Sequence, residues 1–258
     1  MLAKLVFTRA VPLMITSAKR SAMANYRFSE SEASDKTDTL TQRVYESLRT
    51  DIVAGQFAPG DRLVRRALSK RLGVSPMPVT EALYLLELDG LVESRPLYGC
   101  RVRPLTIDDL RNDQVLREAL ECQAARMVAE RASDEELRRL AMEARRLDRL
   151  MSGGNPDSKL GMELHLEFHV KIAELSGSTR LADELRRVWS RLLMRVNWLK
   201  ATRYKQVPDD WHQQLVQVFE SRDPAPAEIK MREHAQFGNE DDHAALREYL
   251  GEEAGEDT

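Results

Sequence analysis

Cysteine is scarce in this 258-residue chain: there are two, Cys100 and Cys122, far apart and without metal-ligand spacing. A disulfide framework is therefore excluded, and the usage fits a reducing compartment. Aromatic residues are few, at 6%, and no segment approaches the ~20 apolar residues that span a membrane. No unit of roughly 20–50 residues recurs, which excludes a solenoid. An excess of positive charge is missing too, since the net charge is −3, and that alone argues weakly against nucleic acid. Its distribution argues the other way. Residues 39–103 hold ten Lys plus Arg against seven Asp plus Glu, a balance of +3 that leaves −6 for the rest. A modestly basic head on an acidic body suits phosphate contacts on one surface only. With 42% hydrophobic and 31% charged residues, the chain reads as soluble, helix-rich and long enough for two domains.

The densest pattern lies in residues 59–101. Leu63, Leu68 and Leu72 fall at helical intervals, Gly73 stops that helix, and Ser75 stands where an N-cap would start the next. In the second helix Val79, Ala82, Leu83, Leu86 and Leu91 share a face, leaving Pro76, Met77, Thr80, Glu81 and Tyr84 to point outward or toward a groove. Leu91–Ser94 and Cys100–Arg103 are strand-like runs around Pro96-Leu97-Tyr98-Gly99, a hairpin tip. Two short helices, a glycine turn and a hairpin predict a winged helix-turn-helix that reads DNA.

This segment resembles the DNA-binding domain of the GntR family of bacterial transcription regulators. The residues that carry the resemblance are Pro59-Gly60-Asp61-Arg62-Leu63, Leu72-Gly73-Val74-Ser75, Pro78-Val79-Thr80-Glu81-Ala82-Leu83 and Gly90-Leu91-Val92, behind an upstream helix from Val44 to Gly55. The resemblance implies DNA contacts by Arg65, Arg66, Ser75, Met77, Thr80, Tyr98 and Gly99, with Lys70 and Arg71 nearby. Two positions that are commonly arginine in the family hold Pro76 and Thr80. Arginine reads guanine bidentately, whereas threonine offers a hydroxyl and a methyl, so the operator preference should differ from that of such relatives.

The organisation expected around this head is a disordered extension over 1–38, the winged domain over 39–104, a linker over 105–112, a helical domain over 113–250 and an acidic tail over 251–258. In the extension, Lys4, Arg9, Lys19, Arg20 and Arg27 precede the first acid, Glu30; its apolar core Val11–Ile15 is short and broken by Pro12, a poor targeting peptide. Beyond Thr106, a candidate N-cap, helical periodicity runs over Leu116–Arg131, Asp134–Met151, Leu160–Leu175, Thr179–Leu199, Pro208–Ser221 and Pro224–Glu248. Six such helices pack naturally as an antiparallel bundle. The fold class is thus mainly α, an N-terminal winged helix-turn-helix with a small β-hairpin followed by an all-α bundle.

Four of the five histidines stand at telling places in that bundle. His165 and His169 are four apart on one helix face, and His212 and His234 lie on two later helices. Such a set can hold one transition metal, although each histidine taken singly is more often a packing residue. In His165-Leu166-Glu167-Phe168-His169 the glutamate is misplaced for a zinc protease. No Glu-x-x-His pair of a di-iron bundle accompanies the histidines either.

The region resembles the FCD ligand-binding domain of the FadR-type GntR subfamily, through Arg117-Glu118-Ala119-Leu120-Glu121, His165 to His169, and His212 and His234, 22 positions apart. Together the two resemblances cover about 210 of the 258 residues. They imply a divalent transition metal on His165, His169, His212 and His234; four nitrogens suit zinc or nickel, and magnesium or calcium not. His165 stands where the family has aspartate, which makes the ligand set neutral or leaves three histidines to bind. A small carboxylate effector follows by resemblance, with Arg117 as its clamp. Further implications are a homodimer on a pseudo-palindromic double-stranded operator, a repressor's action, no membrane association and a bacterial cytoplasmic location. The alternatives are a metal-dependent enzyme, for which no nucleophile pairs with Asp209, Asp210 or Glu167, and a metal-free sensor.

Overall fold

The computed structural model describes residues 39–152, 159–199 and 208–251. Its first helix, α1 (Leu40–Val53), is capped by Thr39, whose hydroxyl accepts the Gln42 amide at 3.1 Å. Val44, Leu48 and Ile52 form its buried stripe, at roughly 2 kcal/mol for each aliphatic side chain fully removed from water. Helix α2 (Arg65–Leu72) ends at Gly73, which takes φ 68°, a left-handed conformation that glycine adopts without steric cost. Helix α3 (Pro76–Leu88) follows Ser75, with Pro76 in the first turn where a missing N–H costs nothing. Ser75 occupies the cap position but its side chain makes no capping hydrogen bond.

Strands β1 (Arg62–Leu63), β2 (Val92–Arg95) and β3 (Gly99–Val102) form an antiparallel sheet in the order β1-β3-β2. Val92 opposes Val102 and Arg95 opposes Gly99, one residue off the strand limits expected from sequence. The two-residue β1 was not anticipated because so short a strand carries no alternation. At the wing tip Leu97 has φ 67° and is fully exposed, and the Tyr98 amide donates to the Arg95 carbonyl at 3.1 Å.

Seven helices follow among the described residues: α4 (Ile107–Arg131), α5 (Asp134–Ser152), α6 (Lys159–Leu175), α7 (Thr179–Leu199), α8 (Trp211–Glu220), α9 (Pro224–Gln236) and α10 (Asn239–Leu250). Two expectations are corrected. The stretch 105–112 is mostly not a linker: α4 begins at Ile107, capped by the Thr106 hydroxyl and carrying Asp108 and Asp109 in its first turn, where carboxylates favour the helix dipole. The run expected as one helix from Pro224 to Glu248 is two helices, broken where Gly238 takes φ 81°. The expected extension over 1–38 and all but Gly251 of the acidic tail lie outside the described residues. No helix among the described residues is long and apolar enough to cross a membrane.

Two apolar cores result, and α4 and α7 belong to both. In α4, Leu110 is buried in the head core, and Ala125 and Val128 in the bundle core. In α7, Val188 and Leu192 face the head, and Leu185, Trp189 and Leu193 face the bundle. Polar contacts reinforce this seam: Arg191 and Arg195 both pair with Asp113 of α4, at 2.8 and 2.5 Å, and the Asn197 amide donates to the Val53 carbonyl at 2.7 Å.

Candidate metal centre

Three helices of the bundle bring four histidines together. The i, i+4 spacing stacks His165 and His169 one turn apart on α6, while α8 contributes His212 and α9 contributes His234. His169 Nε2 lies 3.0 Å from His165 Nε2 and 3.1 Å from His234 Nε2. One potential ligand atom from each of the four lies within 4.8 Å of every other. Two nitrogens on a tetrahedral ion at about 2.1 Å are about 3.4 Å apart, so closing on an ion draws the widest pair together by up to roughly 1.4 Å. His169, His212 and His234 are buried, and His165 is partly so. Burial, reinforced by the neighbouring histidines and Arg117, holds His165 and His234 well below the ordinary imidazole value. Burial also lowers His212, against the opposing pull of Asp148. Neutral rings with free lone pairs are the form a metal takes.

Two buried carboxylates, which the sequence reading did not assign to the site, back these rings. Asp148 of α5 accepts four hydrogen bonds: from His212 N and Nδ1 on one oxygen, at 3.0 and 2.6 Å, and from Gln213 N and Nε2 on the other, both at 3.1 Å. Asp210, the residue before α8, makes no capping bond, so Asp148 caps that helix from outside while fixing the His212 tautomer. With Nδ1 engaged, Nε2 is the nitrogen of His212 left to ligate, and it is buried without a partner. Glu121 of α4 accepts the Trp189 indole N–H at 2.8 Å, and the same oxygen lies 3.1 Å from His169 Nδ1, close but poorly aligned for a hydrogen bond. Burial pushes both carboxyls up, but His169, Arg117 and Trp189 around Glu121, and His212 and Gln213 around Asp148, hold them below the ordinary carboxylate range. Two ionised carboxylates beside the cluster offset part of the charge that an ion on a neutral ligand set would carry.

The donors fit a divalent transition metal: four clustered imidazoles, an orphaned buried nitrogen and a carboxylate, Asp148, orienting the His212 ring. Bound there, such an ion would act as a Lewis acid able to hold a small anion. Arg117 adjoins the cluster rather than solvent. It is buried, its guanidinium lies 5.2 Å over the Trp189 ring, and Nη2 donates to the Ala235 carbonyl and to Asn239 Oδ1. Its Nε has no partner.

The residues expected on the DNA side lie apart from this centre, on the winged head. Arg65, Arg66, Ser75, Met77, Tyr98 and Gly99 are exposed, with Met77 at 65% and Tyr98 at 76%. Thr80 is half-buried, and its hydroxyl donates to the Pro76 carbonyl at 3.0 Å.

Comparison with known proteins agrees with this division. The profile described as bacterial regulatory proteins, gntR family, matches residues 40–102, and that of the FCD domain matches residues 114–237. An uncharacterised HTH-type transcriptional regulator of Bacillus subtilis, YdhC, is 30% identical over 154 residues, covering 60% of this chain and 68% of its own. The HTH-type transcriptional repressor RspR of Escherichia coli is 34% identical over 121 residues, 43% of this chain; the chain spans about half of that protein, 53%. Among solved structures, E. coli McbR/YncC superposes with a TM-score of 0.64 at 20% identity, over 82% of this chain and 99% of that one.

Proposed function

Because the chain belongs to the GntR family of bacterial regulators, with an FCD domain behind its winged head, we propose that it is a transcriptional repressor controlled through a metal-containing pocket. That it is a transcriptional regulator follows from the family. The finer reading is that His165, His169, His212 and His234 hold a divalent ion, zinc or nickel, and that a small carboxylate binds beside it with Arg117 in reach. Effector and metal together set how tightly a homodimer holds a pseudo-palindromic operator in the bacterial cytoplasm, through Arg65, Arg66, Ser75, Met77, Thr80 and the wing tip at Tyr98 and Gly99. A two-fold operator asks for a two-fold protein, which is why a dimer belongs to the reading. An effector controls the regulator only by binding one arrangement of the heads better than another.

The observation that carries the reading is the convergence of four histidine nitrogens within 4.8 Å, with His212 oriented by Asp148. The buried His212 Nε2 has no partner, and an ion at the cluster would supply one. Elemental mass spectrometry of untagged protein, beside a His169→Ala/His212→Ala variant, tests it. About one zinc or nickel ion per chain, lost in the variant, is the expected result. No metal in either, even after loading, overturns the metal centre and leaves the DNA-binding assignment standing.

A further inference from the structure

We propose that helix α7 relays the state of the histidine cluster to the recognition helix α3, through a carboxylate oxygen that accepts from Trp189 and lies beside His169. The relay rests on the metal reading above. The sequence of α7 makes it suited to the task, because its two apolar faces lock it into both cores: Val188 and Leu192 toward the head, Leu185 and Leu193 toward the bundle. A helix held on both sides moves as a body, so a displacement at one face reaches the other.

On the bundle side, Trp189 packs its ring against His165 and His169, with centroids 5.2 and 5.3 Å away, and donates its N–H to Glu121 Oε1 at 2.8 Å. That oxygen also lies 3.1 Å from His169 Nδ1, while Glu121 Oε2 is buried with no partner. Glu121 therefore has two arrangements available within one buried carboxylate. A cation on His169 Nε2 makes the Nδ1–H more acidic and strengthens its pull on Glu121, at the expense of the Trp189 bond. Metal-free, Trp189 keeps the better hydrogen bond.

On the head side, one turn of α7 grips the end of α3. Arg187 Nε donates to Asp89 Oδ1 and Arg191 Nη1 to the Asp89 carbonyl, both at 3.0 Å. Asp89 is the C-cap of α3 and is 8% exposed. Its other carboxylate oxygen accepts the Tyr45 hydroxyl of α1 at 2.5 Å, so the grip extends to the head's first helix. Gly90 follows at φ 74°, which glycine adopts without strain, and a Cβ there would meet Arg191 Cδ at 3.1 Å and crowd the arginine. Arg191 is also fixed from the side by Asp113 of α4. The path from His169 to the recognition helix thus runs through Glu121, Trp189 and a single turn carrying Arg187 and Arg191.

Hydrogen exchange of the full-length chain tests this, with zinc alone as the probe and metal content measured in the same samples. In wild type, saturating zinc should change exchange in the peptide over residues 86–95 by about fivefold or more. In Arg187→Ala/Arg191→Ala, with zinc bound, that change should shrink below about twofold. Trp189→Phe cuts the other end and should lose the response in the same way, which keeps the test decisive if the double variant does not fold. Zinc bound by wild type with no change at 86–95 overturns the relay alone, and so does a full response in either folded, zinc-bound variant. No zinc bound by wild type overturns the metal centre, and the relay with it.

Discussion

Replacing Asp148 by asparagine keeps the shape of the side chain and removes its charge. In the native protein this carboxylate, 3% exposed, accepts from His212 N and Nδ1 and from Gln213 N and Nε2. An asparagine offers one oxygen to these four donors and turns an NH2 group toward the remaining pair. Two charge-assisted hydrogen bonds are lost, at roughly 1.5–3 kcal/mol each, and rotation of the amide toward the better pair recovers part of that. The expected destabilisation of the metal-free protein is about 3 kcal/mol. The same change frees the His212 ring from its tautomer and orientation, which should weaken metal binding by about 10–100-fold. Urea unfolding followed by circular dichroism reads the first quantity, and zinc competition against a chromophoric chelator reads the second. A variant within about 0.5 kcal/mol of wild type, with zinc affinity unchanged within twofold, would refute the double role given to Asp148, since half a kcal/mol is the ordinary scatter of a surface substitution.

Three further outcomes follow from the same reasoning. Asp113→Ala strands the buried guanidinium of Arg195 and should cost about 3–5 kcal/mol in urea unfolding; a loss under about 1 kcal/mol would show that the pair is not buried as described. Burial pushes the Asp242 carboxyl up to about 6, so the proton it retains contributes stability that is fully present below about pH 4 and lost as pH rises through 6. Asp242→Asn should therefore stabilise the protein at pH 7 by up to about 3 kcal/mol and flatten stability between roughly pH 4 and 6; an unchanged pH profile would contradict it. Arg66→Ala should weaken binding to an operator selected from random DNA and reduce the salt slope by about 1, measured by fluorescence anisotropy, and an unaltered slope removes Arg66 from the phosphate contacts.

Periodicity and turn chemistry made the winged head legible in the sequence. Gly73, Pro76 and the Pro96–Gly99 tip each do locally what their residue types favour, so a short window sufficed. The start of α4 was harder to read. Asn112-Asp113-Gln114 resembles a solvated stretch, yet Asp113 and Gln114 are buried, and Asp113 is satisfied by arginines some 80 positions later. The histidine cluster was visible because i, i+4 spacing is local and the resemblance supplied the other two positions. Its carboxylates were not. Asp148 sits in Arg145-Arg146-Leu147-Asp148-Arg149, which reads as a charged face, and only the packing of α5 against α8 shows where it points. Glu121 lay within a quoted motif but gained its role from Trp189, 68 residues away.

X-ray absorption at the metal edge of the zinc- or nickel-loaded full-length protein reads the histidine site itself. Nitrogen neighbours at about 2.0–2.1 Å are expected, with the outer-shell scattering of at least three imidazole rings, diminished in His169→Ala/His212→Ala. Sulfur in the first shell, or a spectrum without imidazole scattering, would contradict it.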